Sequence, residues 1–185
     1  MSIPVAVVVW SAVTGRGGAL CCAHGKTAVV DIGVAGEDGA LRRDAVLRLR
    51  PELADAHERL LATIWAGPVS PATLELCRLR MAMLLASAAA LSERTPAAME
   101  AGLTEERISR LPQWTSDPSI SAEERACIGF VEQFVIDHNE ITDNDVRELT
   151  ELLTPAGVVT FTTALIAWDN QHRFDNALHV AVGQG

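Results

Sequence analysis

The sequence predicts an all-α helical bundle behind a short β-hairpin-like N-terminal appendage. Three observations predict it. Hydroxyl-proline pairs recur at the heads of helix-periodic stretches, at Ser70-Pro71, Thr95-Pro96 and Thr154-Pro155, where the hydroxyl suits an N-cap and the proline the first helical position. Apolar residues make up 49% of the 185 residues but aromatic residues only 4%, with no Tyr, which favours helices packed through Ala, Leu and Val over an aromatic-rich sheet. Seven of the 13 glycines and both β-branched runs fall before residue 47. The division that follows is an appendage over 1–46 and a helical domain over 47–185.

In the appendage, the runs VAVVV (5–9) and TAVVDIGV (27–34) flank a turn at Gly15, Gly17 and Gly18, which reads as a hairpin. Lys26-Thr27 stands eight residues beyond Gly18 rather than directly behind these glycines, and no strand-to-helix pattern surrounds it, so a hairpin turn is expected rather than a phosphate-cradling loop. "GEDG" at 36–39 reads as an exposed connection. Helices are then expected over 51–66, 71–93, 96–101, 104–111, 121–138, 143–153 and 155–179. In the first, Leu53, Ala56, Leu60 and Ile64 form the expected core stripe. In the second, every residue from Met81 to Leu91 except Ser87 is apolar, so this stretch should be enclosed by other helices or by another subunit. Ser121 and Glu124 make a capping box.

Fifteen Lys and Arg against 24 Asp and Glu give a net charge of -9. That charge repels a phosphate backbone, so a nucleic-acid partner is not expected. No apolar run reaches the roughly 18–20 residues that cross a bilayer, and Ile3–Val13 lacks the basic flank of an export signal. A cytoplasmic chain with no membrane partner is the expectation. Cys21, Cys22, Cys77 and Cys127 are too few and too irregular for a disulfide framework. Cys21-Cys22 with His24 has no second cluster at metal spacing, so no metal site is expected.

Glu75 and Arg78 are three apart, a spacing that puts both on one helix face. They read either as an ordinary ion pair or as a carboxylate at the edge of an apolar pocket, its pKa raised by desolvation toward the range of proton transfer. On the last helix, Trp168, His172 and Asp175 share one stripe, with Asp169, Arg173 and Asn176 on the next. His172 reads as a second acid–base group or as a packing residue. His57, His138 and His179 read as surface or helix-end groups. Cys127 reads as a small core residue.

The order "ELCRLRMAMLL", "AAMEAGLTEERISRLPQW", "ISAEERACIGFVEQF" and "QHRFDNAL" over about residues 48–180 resembles the carboxymuconolactone decarboxylase and alkylhydroperoxidase-D-like superfamily. That resemblance implies an all-helical trimer or hexamer, with the active site around a Glu some twelve residues before a CxxCxxxH motif. Glu75 stands in the position of that Glu. Counted back from Gly102, the motif's cysteines fall on Ser87 and Ala90 and its histidine on Arg94, so a disulfide cycle cannot run there. Cys77, ten residues before Ser87, lies about 15 Å away on a straight helix. Arg173 and Asn176 match a structural Arg and Asn of the family.

Three readings follow. The first is a cofactor-free acid–base enzyme of decarboxylase, isomerase, lyase or cyclase type acting on a small organic substrate. Glu75 and His172 would be its catalytic groups, and Arg78, Ser87, Arg94 and Trp168 would line its substrate site. The second is a non-catalytic binding or scaffold subunit. The third is a residual thiol peroxidase using Cys77 or Cys127.

Overall fold

The computed structural model describes residues 42–178 and 180. The expected hairpin, its glycine turn, the 36–39 connection, Cys21, Cys22, His24 and His179 lie outside the described residues. Within them the chain is all-α, with no strand. The helices are α1 (Arg43–Leu47), α2 (Pro51–Trp65), α3 (Pro71–Leu84), α4 (Ala88–Ser92), α5 (Pro96–Glu100), α6 (Glu105–Arg110), α7 (Ala122–Asp137) and α8 (Asp143–Leu178). Because α1 packs on α2, the boundary expected at 46/47 falls inside a helix of the bundle.

Helix α3 is the centre. It packs against α4, α5, α7 and α8, and every residue from Ala72 to Leu79 is buried. A helix enclosed on all sides has no polar face to spare, so Glu75 and Arg78 are taken into the interior with their neighbours. The stripe of α2 differs from the expected one. Ala54 and Ile64 are buried while Leu53 and Leu60 are 56% and 40% exposed, because Trp65 packs on Trp168 of α8 at 5.8 Å and turns that side inward.

The helix expected over 71–93 is broken after Leu84. Ala86 takes φ 52°, the Ser87 N–H donates to the Ala82 carbonyl at 2.9 Å and the Ala86 N–H to Met83 at 3.3 Å. These two bonds make a Schellman stop, which normally places glycine at the left-handed position. The α5 end shows the same motif with Gly102 at φ 89° and the Leu103 N–H donating to Ala98 at 3.1 Å. The apolar run 81–91 is therefore two pieces around a turn, with Ala86 and Ala88 exposed. Replacing Ala86 by glycine relieves the left-handed alanine and should raise stability by about 0.5–1 kcal/mol, read as a shift in denaturation midpoint. A loss of stability would mean that the alanine methyl group makes a contact worth more than the strain.

The expected caps are met in part. The Ser121–Glu124 capping box is complete. Thr154, at φ 65°, interrupts α8 before Pro155, and its Oγ1 accepts from the Gly157 N–H at 3.3 Å. Ser70 makes no cap bond, and the Thr95 hydroxyl is directed to Glu75 instead. By length and composition α8 could cross a bilayer. Here the Thr154 break divides it, and it buries Phe161, Leu165, Trp168 and His172 in the protein.

Candidate active site at the turn between α3 and α4

The Glu75 side chain is 0% exposed and its carboxylate accepts four hydrogen bonds. Arg78 donates to it through Nε at 2.8 Å and Nη2 at 2.7 Å, and Thr95 through Oγ1 at 2.8 Å and its backbone N–H at 3.3 Å. Arg78 spends its remaining reach on carbonyls at the end of α4, Ala90 at 2.9 Å and Glu93 at 3.0 Å. One ion pair thus caps two helices, the arginine closing the C-terminus of α4 and the glutamate the N-terminus of α5, each with the sign the helix dipole favours.

This arrangement reverses the expected pKa. Burial pushes the Glu75 carboxyl up, but the hydrogen bonds and charge of Arg78, with those of Thr95, outweigh it and hold the group below the usual carboxylate range. Glu75 is a settled anion, not an acid waiting for a proton.

His172 is in the opposite condition. It is 2% exposed, and neither ring nitrogen has a hydrogen-bond partner. Burial, then the positive charge of Arg78, lowers its pKa from 6.5 to about 4, so it is a neutral imidazole through the physiological range. One helical turn on, Asp175, 2% exposed, accepts from Arg43 Nε at 2.8 Å and from Arg43 Nη2. The Arg43 Nη1 group lies 3.6 Å from Glu93.

Ser87, the first residue of α4's approach, is 1% exposed, and its Oγ also lacks a partner. It lines an open cleft of about 530 Å³ with Leu85, Ala86, Asp175 and Asn176. The Asn176 Nδ2 donates to the Leu85 carbonyl at 3.4 Å, which ties the turn to α8 a single helical turn from His172. A second cavity, of about 300 Å³, meets this cleft at Ala89 and is lined by Arg43, His57, Leu61, Glu93 and Gln171. His57 is half-buried there, its pKa lowered by burial and by Arg43.

Glu75 and Arg78 bond each other, Ser87 stands in the cleft wall at the turn after α3, and His172 is buried on α8 one turn before Asn176, which bonds that turn; two expected site residues stand elsewhere. Arg94 is engaged by Glu105 at 2.7 and 3.0 Å and faces a separate cavity with Leu79 and Ile108. Trp168 is 1% exposed and packs in the core against Trp65. Arg173 pairs with Asp169 at the surface. Arg43, Glu93 and Thr95 were not anticipated. Thr95 was legible only as a cap, and nothing local to Arg43 points to Asp175, 132 residues away.

Cys77 and Cys127 face each other where α3 packs on α7. Two residues along a helix are about 200° of rotation apart, so this pair is on the far side of α3 from Glu75. The straight-helix estimate of Cys77 to Ser87 does not apply, since α3 ends between them. Both thiols are fully buried, and burial, then Cys127, pushes the Cys77 pKa well up. It is a thiol, not the thiolate that peroxide chemistry requires.

The site thus sits in an all-α bundle wound around a sealed central helix, with an ion pair at its middle and a cleft at the turn that follows. Residues 51–133 match the model of the carboxymuconolactone decarboxylase family, which supports the resemblance read from the sequence motifs. Among solved structures, ATU0492 of Agrobacterium tumefaciens aligns over 76% of this chain and 97% of its own, with TM-score 0.66 and 19% identity. ATU0492 is a protein of unknown function that has been suggested to be the antioxidant defence protein AhpD. The debrominase Bmp8 aligns over 76% of both chains, with TM-score 0.66 and 12% identity. Its cysteine-to-alanine variant in complex with 2,3,4-tribromopyrrole aligns over the same shares, with TM-score 0.64 and 13% identity. No curated protein matches the chain.

Proposed function

We propose that the chain is a cofactor-free acid–base enzyme acting on a small organic molecule in the cytoplasm, within a trimer or hexamer, and that its chemistry is proton relocation rather than thiol redox. One observation carries this reading: a buried, neutral His172 with both ring nitrogens unengaged. Such an imidazole is bifunctional. It can take a proton from a substrate carbon at one nitrogen while giving its own N–H proton to a carbonyl oxygen at the other. The C–H bonding pair becomes the new C=C bond, and the ring passes to its other tautomer with no cation formed beside Arg78. Exchange with solvent resets the tautomer. In this scheme the Ser87 hydroxyl holds the substrate oxygen, and Glu75 is a positioning residue that fixes Arg78 and the turn. Support from the comparisons is limited to fold: the debrominase has this architecture, so the scaffold accommodates chemistry other than peroxide removal.

A second reading, a binding or scaffold subunit, is favoured by the saturation of Glu75 and Arg78 by each other. A panel of small carbonyl compounds, carboxylic acids and polyketide-like molecules separates the two. Compounds that raise the melting temperature are incubated with the protein in deuterium oxide and analysed by mass. The enzyme reading expects deuterium at an acidic carbon of a stabilising compound. Binding with no label in any of them assigns the protein to the second reading.

A further inference from the structure

We infer that the cleft beside Ser87 takes an uncharged carbonyl compound, such as a ketone, ester or lactone, rather than an ionised acid. The inference rests on the proton-relay reading above and narrows it, since loss of carbon dioxide starts from a carboxylate.

The argument is one of charge and of vacant hydrogen-bonding groups. Around the turn, two guanidinium groups face three carboxylates. Arg78 is held in two hydrogen bonds by Glu75, and Arg43 is held by Asp175 and lies against Glu93. Arg78 also donates to the Ala90 and Glu93 carbonyls, so its charge is matched and four of its five N–H donors are engaged. The cavity lined by Arg43 has the same balance, with Arg42 and Arg43 among Asp44, Glu58 and Glu93. An anion entering the cleft would meet Asp175, itself buried and lining the wall, and like charges in a site of lowered dielectric repel strongly.

The groups that do await a partner carry no charge. They are the Ser87 hydroxyl and the two nitrogens of His172; the charged atom without a partner on this part of α8, Asp169 Oδ1, is a carboxylate oxygen and would repel an anion as Asp175 does. Ser87 stands in the cleft wall and His172 on α8 one turn before the wall residues Asp175 and Asn176; their donors and acceptors complement a neutral carbonyl with an adjacent acidic C–H. Leu85, Ala86, Ala88 and Ala89 supply an apolar wall suited to a short carbon skeleton.

The test uses the full chain at pH 7 and matched probes: a short 4-oxo acid and its methyl ester, and a five-membered lactone and its ring-opened hydroxy acid. Half-saturating concentrations are read from thermal stabilisation. The ester and the lactone are expected to bind at least about tenfold more tightly than their ionised partners. The gap should narrow as pH falls toward the acid's own pKa, a measurement that needs no variant. In Asp175→Asn, which removes one carboxylate and leaves Arg43 less neutralised, the gap should narrow at pH 7 as well. Equal or tighter binding of the ionised acids overturns the inference, and so does a failure of every uncharged probe to bind. An ionised acid that binds tightly and takes up deuterium would end this inference and leave the relay standing. Uncharged probes that bind without label would end the relay and leave the charge preference.

Discussion

Arg78→Ala is expected to destabilise the folded chain by about 3–5 kcal/mol, read from the urea midpoint at constant slope. The substitution leaves the Glu75 carboxylate ionised at 0% exposure with only the two Thr95 donors, and it removes both side-chain donors from the last carbonyls of α4. Breaking one partner of a buried pair is costly because the other charge stays behind, whereas replacing both by apolar groups is often close to neutral. The double variant Glu75→Leu/Arg78→Leu should therefore recover much of the loss. A single-variant change below about 1 kcal/mol would place the pair with exposed ion pairs, whose contribution is of that size.

His172→Phe is expected to lower deuterium incorporation into a bound substrate by about 10²–10⁴-fold, the usual contribution of a positioned acid–base group. Stability should stay level or rise, because each unpaired buried nitrogen that is removed had cost about 1–3 kcal/mol. The pH dependence checks the same residue. With a pKa lowered from 6.5 to about 4, the imidazole is neutral down to about pH 4, so the exchange rate should be flat from pH 8 to 5 and fall near 4. Between 6.5 and about 4 the unfolded chain takes up a proton that the folded chain refuses. Native stability should therefore decline as pH drops through that window, and His172→Phe should flatten the decline. A rate that falls with a midpoint near 6.5 would show an ordinary, solvated histidine.

Much of the bundle was legible because its signals are local. The Ser121–Glu124 box and Thr154-Pro155 each state a helix start in two to four residues, and each start is where the sequence put it. Ala86 was not legible. It holds the same left-handed position as Gly102 without glycine's signature, so the break in 71–93 was hidden inside an alanine-rich run. The α2 stripe failed for a related reason, since the choice between two faces of similar apolar content was made by Trp65 meeting Trp168, a long-range contact. At the site, Glu75, Arg78, Ser87 and His172 were identifiable from spacing and resemblance. Which of them is saturated and which is vacant was not, because it depends on Thr95, Arg43 and the α4 carbonyls arriving from elsewhere.

The double cap has a consequence for motion. Helices α4 and α5 are five residues each, well short of the length at which a helix holds its shape alone, and both are anchored by the same two side chains. Their loosening is expected to be concerted, with matched hydrogen-exchange rates from Ser87 to Ala101 governed by the one bond pair deep in the bundle rather than by the surface ends of either helix.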